Sequence, residues 1–488
     1  MTPTPVYDPY APALWADPYP TYAWLREESP VYRNPDKGFY ALSRFADVLA
    51  TLHDWETYSS AQGITLEGLP PDVQPEMITM DPPRHSELRA LVKRAFTPRA
   101  VAALTPRVEA IARELVAEMD PGGFDLVGDV AGQVPSAVIA ELLGIPATDR
   151  PLFREWIEAL IRRRPDEPDT LVAARAASSE LTAYLGDQIA ARRRVPTDDL
   201  VGFAVRVADD ADAMDDAELV GFVRLLLVAG NETTINLIGN ALLELGRHPA
   251  ERARVVADPA LAGDAVEEVL RYSSPVPQLC RVTTRDVERH GVTIPAGSQV
   301  VMVFAAANRD PGEFAEPDRF DVGRRIDRHL AFGHGIHHCL GAALARVQAR
   351  AAIGTTPRLA TTRPSTGTSR HARRWVRSGY RRVSGSTASR SASSPTGGAS
   401  GDGASTTSNA HTPHSARPPQ IVGQRSPARA AAAITVSPGS ARTSAPLGST
   451  RNRTLTWGRR TGTGRAPRGS GARTTPDAGS SAARRRRS

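Results

Sequence analysis

Cysteine and lysine are nearly missing from this chain: Cys280 and Cys339 are its two thiols, and Lys37 and Lys93 stand against 58 arginines. Two cysteines in 488 residues exclude a disulfide scaffold and fit a reducing compartment. Long apolar runs are missing as well. Met1 to Pro20 is interrupted by Pro3, Pro5, Pro9, Pro12, Pro18 and Pro20, and nothing there approaches the ~20 apolar residues of a membrane span. The expectation is a cytoplasmic protein with no export signal and no membrane partner. No internal repeat is visible.

The formal net charge of +7 joins two unlike pieces. Residues 355–488 hold 24 arginines, no lysine, no glutamate and only Asp402 and Asp477, whereas residues 1–354 hold 36 basic and 51 acidic groups. The basic excess belongs to a tail, so nucleic acid is not inferred as a partner of the body. All eleven phenylalanines and all six methionines precede residue 355. The tail therefore lacks the side chains of a core and reads as disordered. Two origins fit it: a natural segment that touches nucleic acid through Arg484 to Arg487, or GC-rich coding DNA read out of frame after Gly354. The second is preferred, because such DNA yields Arg, Ala, Gly, Pro, Ser and Thr and lacks the AT-rich codons of Lys and Phe.

Within the body, residues 100–250 place apolar side chains at three- and four-residue spacing with Pro or Gly at the breaks, as at Ile139, Leu142 and Leu143 before Gly144 and Pro146. The longest helix is predicted from Asp215, which can cap it with Glu218, to Gly246 ahead of Pro249. About 30 residues span ~45 Å, so it should cross the core. Its centre, Phe222 to Val228, is apolar, but Glu232, Thr233 and Thr234 follow Ala229-Gly230, and polar groups there need a reason. Strands are predicted at Val31–Arg33 facing Phe39–Leu42, and at Val292–Ile294 and Gln299–Val303 around a Pro295-Ala296-Gly297 turn. The fold class is mainly α with small β-sheets.

One stretch carries chemistry: Phe332-Gly333-His334-Gly335-Ile336-His337-His338-Cys339-Leu340-Gly341. Gly333 and Gly335 permit backbone angles closed to other residues and a close approach to a flat ligand, and Gly341 frees the first helical turn of side chain. The N–H groups of residues 340 to 342 can point at the Cys339 sulfur and are expected to lower its pKa. Iron in haem needs only one axial donor from protein, which suits a single thiolate. His334, His337, His338 and Cys339 could instead bind zinc, or Cys339 could be an inert thiol. Zinc would normally recruit a second ligand cluster, and Cys280 has no C-x-x-C partner.

The stretch resembles the haem-binding loop of the cytochrome P450 family, F-G-x-G-x-H-x-C-x-G, at every fixed position. The resemblance covers residues of about 1 to 354 and implies that fold, with haem b held by Cys339 and with Phe332 packed beside the sulfur and porphyrin. Asp81-Pro82-Pro83-Arg84-His85-Ser86-Glu87-Leu88-Arg89 matches D-P-P-x-H-x-x-x-R, which implies that His85 and Arg89 pair with haem propionates, joined by Arg281 and His337. Taken alone, a His/Arg pair four apart is usually a solvated face. Ala229-Gly230-Asn231-Glu232-Thr233-Thr234 matches [AG]-G-x-[DE]-T: Ala229 and Gly230 leave room for dioxygen, Thr233 holds bound oxygen and its water, and Glu232 relays protons. The Thr hydroxyl can also bond backwards to a carbonyl and loosen the helix. Glu268-Val269-Leu270-Arg271 matches E-x-x-R, a structural pair braced by Arg319 of Pro317-Asp318-Arg319-Phe320. Substrate contacts by the same resemblance are Ile64, Leu226, Ala229, Val276, Pro277 and Gln278, with the helix carrying Phe153, Trp156 and Leu160.

The activity so implied is a haem monooxygenase that inserts one oxygen atom of O2 into a small organic substrate. Electrons would come from a ferredoxin and its ferredoxin reductase, because no flavin or nicotinamide domain is fused here. Rival readings are a haem sensor or carrier without turnover and an Arg-tail nucleic-acid binder, whose affinity would fall steeply with salt. Family members continue past the cysteine helix with a further strand and hairpin, and nothing after Gly354 resembles them. An incomplete fold with an exposed apolar edge and lowered stability is the expectation.

Overall fold

The computed structural model describes residues 5–69, 73–118, 126–146, 148–161, 167–210 and 213–355. Among them, the helical periodicity of the sequence becomes α1 (Pro12–Ala16), α2 (Tyr19–Glu28), α3 (Phe45–His53), α4 (Arg84–Val92), α5 (Pro98–Ala117), α6 (Gln133–Leu142) and α7 (Arg150–Ile161). There follow α8 (Pro168–Arg194), α9 (Leu200–Asp209), α10 (Asp216–Arg247), α11 (Pro249–Ala257), α12 (Ala262–Tyr272), α13 (Phe304–Ala307) and α14 (Ala342–Thr355). The strands are β1 (Val31–Arg33), β2 (Tyr40–Leu42), β3 (Tyr58–Ser59), β4 (Leu279–Thr283), β5 (Val287–Arg289), β6 (Val292–Ile294) and β7 (Gln299–Met302). The described protein is mainly helical with small sheets, as its sequence predicts.

α10 starts where Asp215 caps it. The Asp215 carboxylate accepts the Glu218 N–H at 2.8 Å, and Glu218 accepts the Asp215 N–H at 3.2 Å. Its 32 residues span about 48 Å. The first half buries Leu219, Phe222, Val223 and Leu227 with Trp156, Leu181, Leu185 and Val205 of α7 to α9. The second half buries Leu237, Ile238, Ala241 and Leu245 with Ile111 of α5, Val269 of α12 and Ala352 of α14. A buried aliphatic side chain contributes ~1.5–3 kcal/mol and a cap ~1, so packing holds this helix far more strongly than its capping box. Ala229 to Thr233 falls between the two cores, where small and polar residues can sit without breaking either.

The main sheet has the order β1-β2-β7-β4-β3, with β2 and β7 parallel and the other pairs antiparallel. The predicted early hairpin forms, with Val31 opposite Leu42. The two strands predicted around Pro295-Ala296-Gly297 both form but do not pair with each other. β6 pairs with β5 through a two-residue turn in which His290 and Gly291 have φ of 50° and 76°, while β7 joins β2 and β4. Gly297, at φ 77°, redirects the chain, and its N–H donates to the Thr283 carbonyl of β4 at 2.7 Å. No helix among the described residues is long and apolar enough to cross a membrane. The Arg-rich segment from residue 356 lies outside the described residues, and with it nearly all of the predicted tail.

Candidate active site

The cysteine turn is built from backbone bonds. Gly333 N–H donates to Leu330 at 2.9 Å, a 3-10 turn covers Gly335–His337, and Cys339 N–H donates to the Phe332 carbonyl at 2.9 Å; α14 follows three residues later. Gly333 and Gly335 have φ of 64° and 67°. At Gly335 the close neighbour is protein: a Cβ there would lie 2.2 Å from the Leu52 carbonyl oxygen at the end of α3. A contact within the protein thus already requires the missing side chain at Gly335. Gly341 has open space around it.

Cys339 is exposed, yet enough protein surrounds its sulfur to push the thiol above its ordinary range. The N–H groups of Gly341 and Ala342 and the guanidinium groups of Arg89 and Arg346 act the other way without reversing it. The expected lowering by backbone donors is therefore not what the protein alone provides, because desolvation outweighs them. A metal ion bound at the sulfur would favour the thiolate, since coordination deprotonates a thiol outright.

α4 carries His85 and Arg89 on one face, as predicted. His85 is buried, its ring lies 4.3 Å from that of His337 between centroids, and neither of its nitrogens has a hydrogen-bond partner among the described residues. Arg89 donates to the His338 carbonyl. Arg281, on β4, is buried, donates to the Cys280 carbonyl at 2.7 Å, and has its guanidinium held down to about 10 by burial. His337 is pushed down to about 3, first by burial and then by Arg281, His85 and Arg89, so the four basic groups converge. Neither Arg89 nor Arg281 makes an ion pair with a carboxylate among the described residues. Asp81, whose charge acts on His85 and Arg281, is taken up by Ser59 Oγ at 2.5 Å and Ser60 N–H at 3.0 Å. Desolvated basic groups that converge with no carboxylate paired to them among the described residues fit a ligand with carboxylates, and the haem propionates are such groups. Ser60, whose hydroxyl lies 3.0 Å from His337 Nε2, was not legible as a site residue because it belongs to no motif.

On α10, Thr233 Oγ1 donates back to the Ala229 carbonyl at 2.7 Å, the bond its sequence position suggests, although the helix continues unbroken. Ala229 is exposed in mid-helix, Glu232 is half-buried, and a Cβ on Gly230 would meet Ile139 Cδ1 at 3.7 Å. Asn231, unmarked by the sequence reading, is buried and accepts a hydrogen bond from Ser136 Oγ at 3.0 Å, tying α10 to α6.

Glu268 and Arg271 of α12 are fully buried and joined at 2.7 and 2.8 Å. Arg271 also donates to the carbonyls of Asn308, Pro317 and Arg319. The predicted third member is corrected here. The Arg319 side chain turns outward to Glu316 and Asp321, and it is Arg324 that reaches Glu268 Oε1, at 3.3 Å. Arg319 contributes its carbonyl only.

The predicted substrate contacts scatter. Ile64 is half-buried with its carbonyl on the Cys280 N–H, Leu226 is half-buried beside the α7 to α9 core, and Val276 packs against the sheet core. The Pro277 carbonyl accepts from Ala305 at 3.0 Å. Gln278 is corrected: its amide oxygen accepts from the buried Tyr7 hydroxyl, so this side chain serves the N-terminal segment. Phe153 and Trp156 are likewise core residues, stacked on Tyr184 at 5.0 and 5.5 Å, and Leu160 packs beside them. A cleft of about 820 Å³ beside Gln62, Gly68, Gln74 and Gln299 holds none of the predicted haem residues. Among the described residues no group of three His, Cys, Asp or Glu side chains is arranged to hold a metal.

A helical body that sets a lone cysteine on a glycine turn, beside converging basic groups without a carboxylate partner among the described residues and a long helix carrying small and polar residues at its centre, fits a haem-thiolate protein. Residues 260–358 match the family Cytochrome P450. The chain is 43% identical over 365 residues to the vitamin D(3) 25-hydroxylase of Pseudonocardia autotrophica, covering 72% of this chain and 89% of that one. It is 42% identical over 352 residues to cytochrome P450 monooxygenase PikC of Streptomyces venezuelae, covering 69% and 82%. Among solved structures, cytochrome P450 CYP109Q5 from Chondromyces apiculatus is 40% identical, with a TM-score of 0.66 over 72% of this chain and 90% of that one. The chain belongs to the cytochrome P450 family and is a monooxygenase of its bacterial type.

Proposed function

We propose that residues 1–354 bind haem b through the Cys339 thiolate and oxidise a small organic molecule with O2, using electrons from a ferredoxin and its reductase in the cytoplasm. The observation that carries this reading is the convergence of His85, Arg89, Arg281 and His337 without a carboxylate partner, beside the Cys339 turn. The end of the family match at residue 358 supports placing the boundary of the body near residue 354.

When bound, haem supplies the iron centre at which O2 is reduced and one oxygen atom is transferred to carbon. Cys339 would hold the iron through its sulfur. His85, Arg89, Arg281 and His337 would bind its propionates, and Phe332 would exclude water beside the sulfur. On α10 Ala229 and Gly230 leave space, Thr233 presents a hydroxyl whose own proton is held on the Ala229 carbonyl, and Glu232 would move protons toward that hydroxyl. Leu226, Ala229, Ile64 and Val276 offer apolar surface to substrate. The similarity to a vitamin D(3) 25-hydroxylase favours a largely apolar substrate.

Titration of the purified, haem-loaded protein with apolar ligands, followed by turnover with a ferredoxin system, tests the reading. A ligand-dependent Soret shift and a hydroxylated or epoxidised product are expected. Haem binding with neither a spin change nor a product for any ligand would favour the sensor alternative.

A further inference from the structure

Behind the cysteine turn lies a cluster that the oxidation chemistry above does not use. Arg346 of α14 grips Glu267 of α12 with two parallel hydrogen bonds, Nε to Oε1 at 2.6 Å and Nη2 to Oε2 at 2.9 Å. His329 joins them. Its Nδ1 accepts the Ala331 N–H at 3.2 Å, so the ring proton sits on Nε2, which donates to Glu267 Oε2 at 3.2 Å. The Arg346 guanidinium, fixed in this way, lies 4.6 Å from the centre of the Phe332 ring. Phe332 is the residue whose carbonyl receives the Cys339 N–H. A continuous chain of contacts therefore runs from α12 through Arg346 and Phe332 to the cysteine.

We propose that Arg346, oriented by Glu267 and His329, is a positioning residue for the thiolate: it clamps Phe332 against the Cys339 turn and keeps a fixed positive charge within electrostatic reach of the sulfur. The proposal rests on the haem-thiolate reading. A charge held there draws electron density from the sulfur and makes reduction of the iron easier; Glu267 partly cancels it. A plain bridge between α12 and α14 would add stability and leave the iron's potential unchanged.

The midpoint potential and the lifetime of the red-shifted reduced-carbonyl band decide between these, measured on the full-length, haem-loaded protein. Arg346→Gln is expected to shift the potential negative and Glu267→Gln to shift it positive. Arg346→Lys keeps the charge, so its potential should return toward wild type, but a lysine can neither fork nor stack, and the band should decay about tenfold faster. If the glutamine variant of Arg346 does not load haem, the positive shift of Glu267→Gln and the shortened band lifetime of Arg346→Lys at near-wild-type potential carry the test. Wild-type potential and band lifetime in the loaded variants overturn the proposal. Absence of the band from the wild type overturns the underlying reading and the proposal with it.

Discussion

His85 and His337 lie in contact with ring centroids 4.3 Å apart and planes tilted by 52°, and both nitrogens of His85 are buried without a partner among the described residues. An unpaired buried polar group costs about 1–3 kcal/mol, so the protein alone gains nothing from this histidine. His85→Phe should leave the haem-free protein at least as stable as wild type, while haem loss to a scavenger protein accelerates about tenfold. Thermal unfolding and haem-transfer kinetics check the two arms. A destabilised haem-free variant with unchanged haem retention would make His85 a packing residue.

The buried Glu268–Arg271 pair is closed by Arg324 and not by the Arg319 side chain. Arg319→Ala should change stability by less than about 0.5 kcal/mol, as for other exposed pairs. Arg324→Ala removes a charged bond to Glu268 and three to the carbonyls of Ala315, Glu316 and Arg319, and should destabilise by about 1.5–3 kcal/mol. Urea unfolding midpoints separate the two. The reverse order would restore Arg319.

Thr233 donates to the Ala229 carbonyl and is the hydroxyl closest in sequence to Glu232. Thr233→Ala should still give a ligand-induced Soret shift, but product per electron consumed should fall by about 10²-fold, with Thr233→Ser recovering much of it. Unchanged coupling in the alanine variant would remove the hydroxyl from proton handling.

Glu267 is subject to burial, which raises a carboxyl, but the hydrogen bonds from His329 and Arg346 outweigh it and hold the group down to about 2. Because this lies below the ordinary ~4.3 of a glutamate, the stabilisation is complete above about pH 4.5 and lost as pH falls toward about 2. Glu267→Gln should be less stable than wild type at pH 7 by on the order of 2 kcal/mol, and the gap should close between about pH 5 and pH 2. Denaturant titrations at several pH values measure it. A gap that does not change with pH contradicts the assignment.

What was legible in the sequence was local. The capping box of Asp215 and Glu218 and the unbroken periodicity after it placed α10, and the glycines around Cys339 placed the turn. The backward bond of Thr233 follows from a hydroxyl four residues after a carbonyl on one helix. What escaped depends on contacts between distant segments. Gln278 meets Tyr7 across 271 residues, and β7 leaves its neighbour β6 for β2 and β4. Arg324 displaces Arg319 because the turn from Asp321 to Arg324 folds the later guanidinium back onto Glu268. The thiol of Cys339 moved opposite to expectation because helix-end donors are visible in sequence and desolvation is not.

The central claim is that Cys339 supplies the sulfur that holds iron. The reduced-carbonyl spectrum of Cys339→Ser against wild type tests it most directly: the wild type should absorb at the red-shifted position of a thiolate-ligated haem and the variant should lose that band. Retention of the band by the serine variant would contradict the account.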